Sequence, residues 1–137
     1  TCALPIYIER ASKRDALRVA RELAEALRAG DTIAFFPEGT TGPGPELLPF
    51  HANLLQAAIA TELPVQPLVL RWHEPGQRFS RSAQFVGDTT LLQSLWRVAS
   101  ARGLAIELHI LPALGTAHAD RRLLAEHLRE LIAAKLA

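Results

Sequence analysis

The spacing of apolar and polar residues divides the chain into helical and extended segments. Ser12 and Asp15 have the spacing of a capping box, and apolar residues then recur every three or four positions as far as Gly30, which predicts a helix that ends there. Apolar stripes with the same spacing predict three more helices, over residues 50–60, from Asp88 or Thr89 to Gly103, and over residues 119–136.

Short apolar runs between these helices predict strands. The runs at residues 4–8, 31–36 and 65–72 are rich in Ile, Val, Leu and Phe, and residues 85–86 form a shorter one. Residues 104–111 alternate well between apolar and polar positions. We expect Ile106, Leu108 and Ile110 to point inward, and Glu107 and His109 to point outward.

Strands that alternate with helices of this length are typical of crossover units. We therefore predict an α/β fold, a mostly parallel sheet with helices on its faces. No linker divides residues 1–137, which are expected to form one domain. Ligands of such sheets bind at the carboxyl ends of the strands. Because Arg10 and the turn at residues 37–40 both follow predicted strands, they are expected to meet at one rim.

Composition excludes several classes of function. The 137 residues are 49% apolar with a net charge of +1, which argues against binding nucleic acid by bulk electrostatics. Cys2 is the single cysteine, so no internal disulfide is possible. The sequence has no P-loop, no serine-hydrolase elbow and no metal-ligand spacing. The chain begins at Thr1 and contains no methionine, so we expect it to be a piece of a longer protein.

Four short motifs stand out, namely Phe-Pro-Glu-Gly-Thr at residues 36–40, Tyr-Ile-Glu-Arg at residues 7–10, Leu-Pro-Val-Gln-Pro-Leu at residues 63–68 and Leu-Pro-Phe-His at residues 48–51. They resemble motifs of the glycerolipid acyltransferase family, which acylates 1-acyl-glycerol-3-phosphate. Residues 36–40 match the family's third signature block residue for residue. Residues 7–10 resemble the second block and residues 63–68 the fourth. The link at residues 48–51, Leu-Pro-Phe-His, is also similar. The resemblance covers nearly the whole chain, in the family's order and spacing.

The resemblance implies a site that holds the acceptor's phosphate. Arg10 would be the main phosphate ligand, since a guanidinium can bond it bidentately. Glu38 would orient Arg10 or accept from a substrate hydroxyl, or else cap its own turn. Gly39 would let the ligand approach the main chain, and Thr40 would donate to a phosphate oxygen. Residues expected near the substrate are Phe36, Pro37, Thr41, His51 and Pro67. For His51 a solvated or capping role is favoured, and for Pro67 a role in shaping its strand.

The chain departs from the family in two ways. Thr41 stands where the family usually has arginine, which removes a positive charge. The first block, His-x-x-x-x-Asp, supplies the family's catalytic base and is absent. The residues five positions beyond His51, His73, His109, His118 and His127 are Gln56, Arg78, Leu114, Leu123 and Ile132, none acidic. We therefore expect no catalytic residue in this chain, the first block before Thr1, and little activity from the isolated piece.

For the whole protein, the resemblance implies an O-acyltransferase of phospholipid biosynthesis that forms phosphatidic acid. Acyl-CoA or an acyl carrier protein would be its co-substrate, with no metal or bound cofactor and no nucleic-acid partner. It would act at the cytoplasmic face of the inner membrane, peripherally or anchored by a segment before Thr1. Two alternatives stay open, a non-catalytic module that binds anionic lipid and an acyltransferase whose acceptor is an amino-acid lipid.

Overall fold

The computed structural model describes residues 13–137, with side chains from Leu17 onward. The predicted strand at residues 4–8 and the predicted cap at Ser12 lie outside the described residues. The described part is a small α/β domain with four helices and a two-stranded sheet. In chain order the elements are α1 (Lys13–Arg28), α2 (Leu55–Thr61), β1 (Leu68–His73), α3 (Leu91–Ser100), β2 (Ala105–Ile110) and α4 (Arg121–Leu136).

The core consists of two apolar clusters joined by α2. Ala57 packs on one side of α2 against the buried stripe of α1, and Leu55 packs on the other side against α4. Leu55 is only 1% exposed. The helical stripes predicted for α1 and α4 are confirmed by the buried residues Val19, Leu23, Ala24, Leu124 and Leu128.

Local signals determine where the helices end. Gly30 has a φ of 91°, and the N–H of Asp31 beyond it donates to the carbonyl of Ala26 at 3.0 Å, so the predicted glycine cap is confirmed. The carboxylate of Asp120 accepts from the N–H groups of Leu123 and Arg122 at the start of α4. These backbone bonds hold the pKa of Asp120 below its usual range.

The predicted strand at residues 31–36 is not confirmed, because this segment forms no sheet hydrogen bonds with residues 13–137. Its apolar side chains contact both core clusters. Ile33 contacts the α1 cluster, and Phe35 contacts the α4 cluster. The apolar residues that predicted a strand at residues 31–36 are therefore the same residues that pack between the helices. The short strand predicted at residues 85–86 is likewise not confirmed among residues 13–137.

The described sheet is antiparallel, and the predicted parallel arrangement is not confirmed. β1 pairs with β2 so that Leu68 faces Ile110, Leu70 faces Leu108 and Trp72 faces Ile106. A parallel pair would need a crossover helix that covers the sheet. α3 lies between the two strands in sequence but packs against none of the other described helices or strands.

The two faces of the sheet are reversed relative to the sequence prediction. Ile106, Leu108 and Ile110 are exposed, whereas the side chains of Glu107 and His109 are partly covered. The reason is that α4 packs against the other face of β1, where Val69 is only 2% exposed.

The apolar stripe that predicted the helix from Asp88 or Thr89 to Gly103 is exposed rather than buried. Trp96 is 75% exposed, and no residue of α3 is buried. Among residues 13–137, no helix combines the length and the apolar character that crossing a bilayer requires.

Thr116 closes the C-terminal end of α2. Its side chain is fully buried, and its hydroxyl lies 3.1 Å from the carbonyl oxygen of Ala58 and 2.8 Å from that of Leu63. Ala58 belongs to the last turn of a helix of only seven residues, and Leu63 follows just beyond the C-cap of that helix. Since so short a helix is unstable in water by itself, this buried hydroxyl is part of what fixes α2.

We expect Thr116→Val to lower the free energy of unfolding by about 1 kcal/mol, because the hydrogen bond that the buried hydroxyl donates to the Leu63 or Ala58 carbonyl is lost while the volume is kept. Urea denaturation of the full-length protein measures the change. Thr32→Val, at an exposed threonine, is the control and should stay within about 0.5 kcal/mol of wild type. Equal effects of the two substitutions would contradict a structural role for the Thr116 hydroxyl.

Candidate functional site

The loop of residues 37–49 folds back on itself through its own polar groups. Oε2 of Glu38 accepts a hydrogen bond from the N–H of Leu48 at 2.7 Å. The N–H of His51 donates to the carbonyl of Pro37 at 2.8 Å. The two ends of the loop are therefore held side by side, and the Glu38 carboxylate closes the loop as a backbone acceptor.

Gly39 brings the main chain of this loop against His51. Its φ is 66°, a conformation that strains any residue with a side chain. A Cβ at position 39 would lie 3.0 Å from Cδ2 and 3.4 Å from Nε2 of His51. The imidazole therefore lies directly beside the Gly39 backbone.

Two hydrogen bonds join the loop to the segment before α3. The hydroxyl of Thr41 donates to the carbonyl of Phe85 at 2.6 Å, and Nε2 of Gln84 donates to the carbonyl of Pro43 at 2.6 Å. Thr41 thus bridges two loops, at the position where the family usually has arginine.

α4 holds the far end of the loop. The Arg129 guanidinium donates from Nε to the carbonyl of Leu48 at 3.2 Å and from Nη2 to that of Leu47 at 2.9 Å. Because α4 is packed into the core through Leu128, this end of the loop is fixed to the rigid part of the domain.

A cleft of about 1110 Å³ lies between this loop, β1 and the segment of residues 79–85. Seven of the nine residues predicted for the site line it, namely Phe36, Pro37, Glu38, Gly39, Thr40, Thr41 and His51. Pro67 is buried away from the cleft, where its carbonyl accepts from the N–H of Leu111. Arg10 lies outside the described residues, so its meeting with the loop stays a prediction.

Sequence reasoning did not identify the opposite wall of the cleft. Phe79, Phe85, Leu70 and Trp72 contribute apolar surface there, and Arg71 is the one arginine among its described lining residues. Phe79 lies in the polar stretch that follows the strand predicted at residues 65–72, and Phe85 belongs to the short strand predicted at residues 85–86. An aromatic residue in the polar stretch was the available signal.

Arg71 belongs to a polar cluster on the partly covered face of the sheet. Its Nε donates to Oε2 of Glu107 at 3.1 Å, and Oε1 of Glu107 lies 2.8 Å from Nε2 of His109. The hydrogen bond from Arg71 is the main cause that holds the pKa of Glu107 below its usual range, with smaller effects from the nearby His109 and His73.

The cleft is suited to an amphiphilic ligand. Its aromatic wall offers surface to an apolar chain, while the loop supplies a backbone turn, a hydroxyl and an imidazole. Among the described residues, no group of three or more His, Cys, Asp or Glu side chains is placed to hold a metal ion.

Comparison with known proteins assigns the family. The model of the family described as Acyltransferase matches residues 3–71, which is half of the chain and includes residues 36–40. The chain belongs to this acyltransferase family.

Curated relatives carry two kinds of name. The chain is 35% identical over 134 residues to the 1-acyl-sn-glycerol-3-phosphate acyltransferase of Neisseria gonorrhoeae, covering 96% of this chain and 52% of that protein. It is 30% identical over 127 residues to the lyso-ornithine lipid O-acyltransferase of Pseudomonas aeruginosa, covering 93% and 48%. The chain spans about half the length of these relatives. No solved structure matches the chain significantly.

We expect Glu38→Ala to destabilise the domain by roughly 1 kcal/mol, because the Leu48 amide loses its acceptor. Glu38→Gln keeps an acceptor oxygen at the same place and should remain close to wild type. Urea denaturation of the full-length protein compares the two variants. If Gln and Ala were equally destabilising, the negative charge rather than the hydrogen bond to Leu48 would hold the loop.

We expect Glu107 to make stability depend on pH. The folded state lowers its pKa from the ordinary value of 4.5, so its contribution is complete above that value and is lost as the pH falls through the lower, folded-state pKa. Unfolding measured between neutral and acidic pH should therefore show a shallower loss of stability in Glu107→Gln than in wild type. Glu74 and Asp120 also have lowered pKa values but are unchanged in the variant, so the difference isolates Glu107. Parallel curves would contradict this role.

Proposed function

We propose that the protein containing this chain transfers a fatty acyl group from a coenzyme A or acyl carrier protein thioester to the free hydroxyl of a lysophospholipid. The proposed acceptor is 1-acyl-glycerol-3-phosphate and the product phosphatidic acid. One observation carries the proposal. In a chain of the acyltransferase family, residues 38–41 form the polar wall of a cleft of about 1110 Å³ that has aromatic side chains opposite.

The walls of the cleft suit the two ends of such an acceptor. Phe36, Phe79 and Phe85 provide surface for an acyl chain. Thr40 and the Gly39 backbone lie on the loop side, where they would hold the head group together with Arg10. Glu38 is engaged with the Leu48 amide, so its part in the proposal is to keep this loop in shape.

The reaction requires a base beyond the groups assigned here. The acceptor hydroxyl attacks the thioester carbonyl, an ester bond forms, the thiolate leaves and the hydroxyl proton passes to the base. A positioned base contributes roughly 10²–10⁴-fold. We propose that the base is the histidine of a His-x-x-x-x-Asp block outside residues 1–137, and that this chain supplies the acceptor-binding part. No metal or bound cofactor is proposed.

One observation favours a second acceptor. Thr41 occupies the position at which the family usually has arginine, and its hydroxyl bonds the Phe85 carbonyl instead of supplying a cation. An acceptor with an amino-acid head group needs fewer cations than a phosphate does. A lyso-ornithine lipid, the acceptor in the name of the Pseudomonas relative, is therefore the alternative.

The proposed place of action is the cytoplasmic face of the inner membrane, because the acceptor resides in a bilayer. Attachment would be peripheral or through a segment outside this chain. A module that binds anionic lipid without catalysis is the rival function, and the following experiment separates it from an enzyme.

The test is acyl transfer by the purified full-length protein with labelled acyl-CoA or acyl carrier protein. 1-Acyl-glycerol-3-phosphate and a lyso-ornithine lipid are offered separately. We expect turnover with the first and, in Arg10→Ala, a KM for that acceptor raised at least about tenfold with little change for the thioester, since a charge-assisted bond to phosphate is lost.

Each other outcome has a defined meaning. Faster turnover with the lyso-ornithine lipid would replace the proposed acceptor. Lipid binding without transfer from either donor would establish the non-catalytic module. Equal changes of KM for acceptor and donor in Arg10→Ala would remove Arg10 from the phosphate site.

A further inference from the structure

α3 is an amphipathic helix that packs against none of the other described helices or strands. Leu92 is 78% exposed and Trp96 75% exposed, and Leu91 and Leu95 are exposed as well. At 100° per residue, these four side chains and Val98 occupy one stripe, and Gln93, Ser94, Arg97 and Ser100 occupy the other side. The stripe is therefore a continuous apolar surface rather than scattered residues.

The ends of α3 are determined locally. The Thr90 hydroxyl accepts from the N–H of Gln93 at 3.3 Å, and the Gln93 side chain accepts from the N–H of Thr90 at 3.0 Å. A helix of ten residues is still marginal in water even when it is capped. Covering its apolar stripe would supply the missing stabilisation.

The charges around α3 favour an anionic partner for the stripe. Residues 88–103 contain two arginines, Arg97 in the last turn of α3 and Arg102 beyond its C-cap, and one acidic residue, Asp88, which precedes the Thr90 cap. A leucine and tryptophan face with arginine on or beside the polar face is the composition of helices that lie in the interface of an anionic bilayer. The exposed face of the sheet has no such combination of apolar and basic residues, so the described residues do not indicate what covers that face.

We propose that α3 lies in the interface of a bilayer with anionic lipid, with Leu91, Leu92, Leu95 and Trp96 inserted below the head groups. The segment of residues 79–85 walls the cleft, and α3 begins six residues after it. The Thr41 hydroxyl bonds Phe85 of that segment to the loop of residues 37–49. Insertion of α3 thus places the cleft beside the lipid surface. The purpose of this insertion would be access to a lipid acceptor, and that purpose rests on the proposed function.

The test measures Trp96 of the full-length protein on vesicles of brominated phosphatidylglycerol mixed with phosphatidylcholine. The Trp96 signal is the difference between wild type and Trp96→Phe. We expect this emission to resemble that of solvent-exposed tryptophan without lipid, then to shift to the blue and to be quenched by the brominated chains. Leu92→Ser should lower the equilibrium ratio of bilayer-inserted α3 to α3 in water roughly tenfold, because the burial of one leucine side chain is lost. Because the readout is local, another anchor elsewhere in the protein does not mask it.

Two control measurements make the result specific. Leu123→Ser removes a leucine that is 68% exposed on α4 and should leave the quenching unchanged. Arg97→Gln and Arg102→Gln should each weaken the preference for phosphatidylglycerol roughly fivefold, and salt should remove that difference.

Three outcomes would overturn the proposal. Trp96 emission already blue-shifted without lipid and not quenched would show that another part of the protein covers α3. Emission that shifts with protein concentration alone would indicate a second copy. Emission unchanged by lipid would show that α3 remains in water.

Acylation of a short-chain, water-soluble acceptor without vesicles separates this inference from the proposed function. Leu92→Ser should keep the wild-type rate in that assay. Quenching of Trp96 without any acyl transfer would remove the proposed function and leave the role of α3. Acyl transfer without quenching of Trp96 would remove the role of α3 and leave the proposed function.

Discussion

The structure depends on the burial of α2 between α1 and α4. A helix of seven residues cannot persist in water alone, so its position comes from Leu55 and Ala57 packing on opposite sides and from the Thr116 hydroxyl at its C-terminal end. The loop of residues 37–49 enters from the segment between these clusters and returns just before α2. The position of this loop therefore depends on the core, and the shape of the cleft depends on the packing around α2.

Sequence periodicity predicted the helices better than the sheet. The stripes of α1 and α4 have a period that fits only a helix, and Gly30 and Asp120 carry end signals that act locally. An apolar run such as residues 31–36 is ambiguous, since burial between helices and burial in a sheet select the same residues. In β2 the alternation correctly predicted a strand, but alternation contains no information about which face meets the core. That choice depended on Val69 and α4, which are distant in sequence.

The candidate site shows the same division between local and distant information. A short motif predicted the loop wall, and residues 36–41 do lie together on one cleft. The opposite wall comes from residues 70–72 and 79–85, which approach only through tertiary contacts such as the bond between Thr41 and Phe85. The structure also shows Glu38 bonding the loop's own backbone, a contact that the motif could not separate from a ligand role. Thr41, noticed first as a missing charge, is a structural tie between two loops.

The antiparallel register of the sheet has a consequence for biosynthesis. β1 and β2 are separated by residues 74–104, so pairing them closes a long loop and must wait until the second strand has left the ribosome. During that interval Leu68, Leu70 and Trp72 emerge without partners, next to α1 and α2, which can already pack against each other. An unpaired apolar strand favours self-association of the nascent chain, and the rate of translation through residues 74–104 determines how long that period lasts.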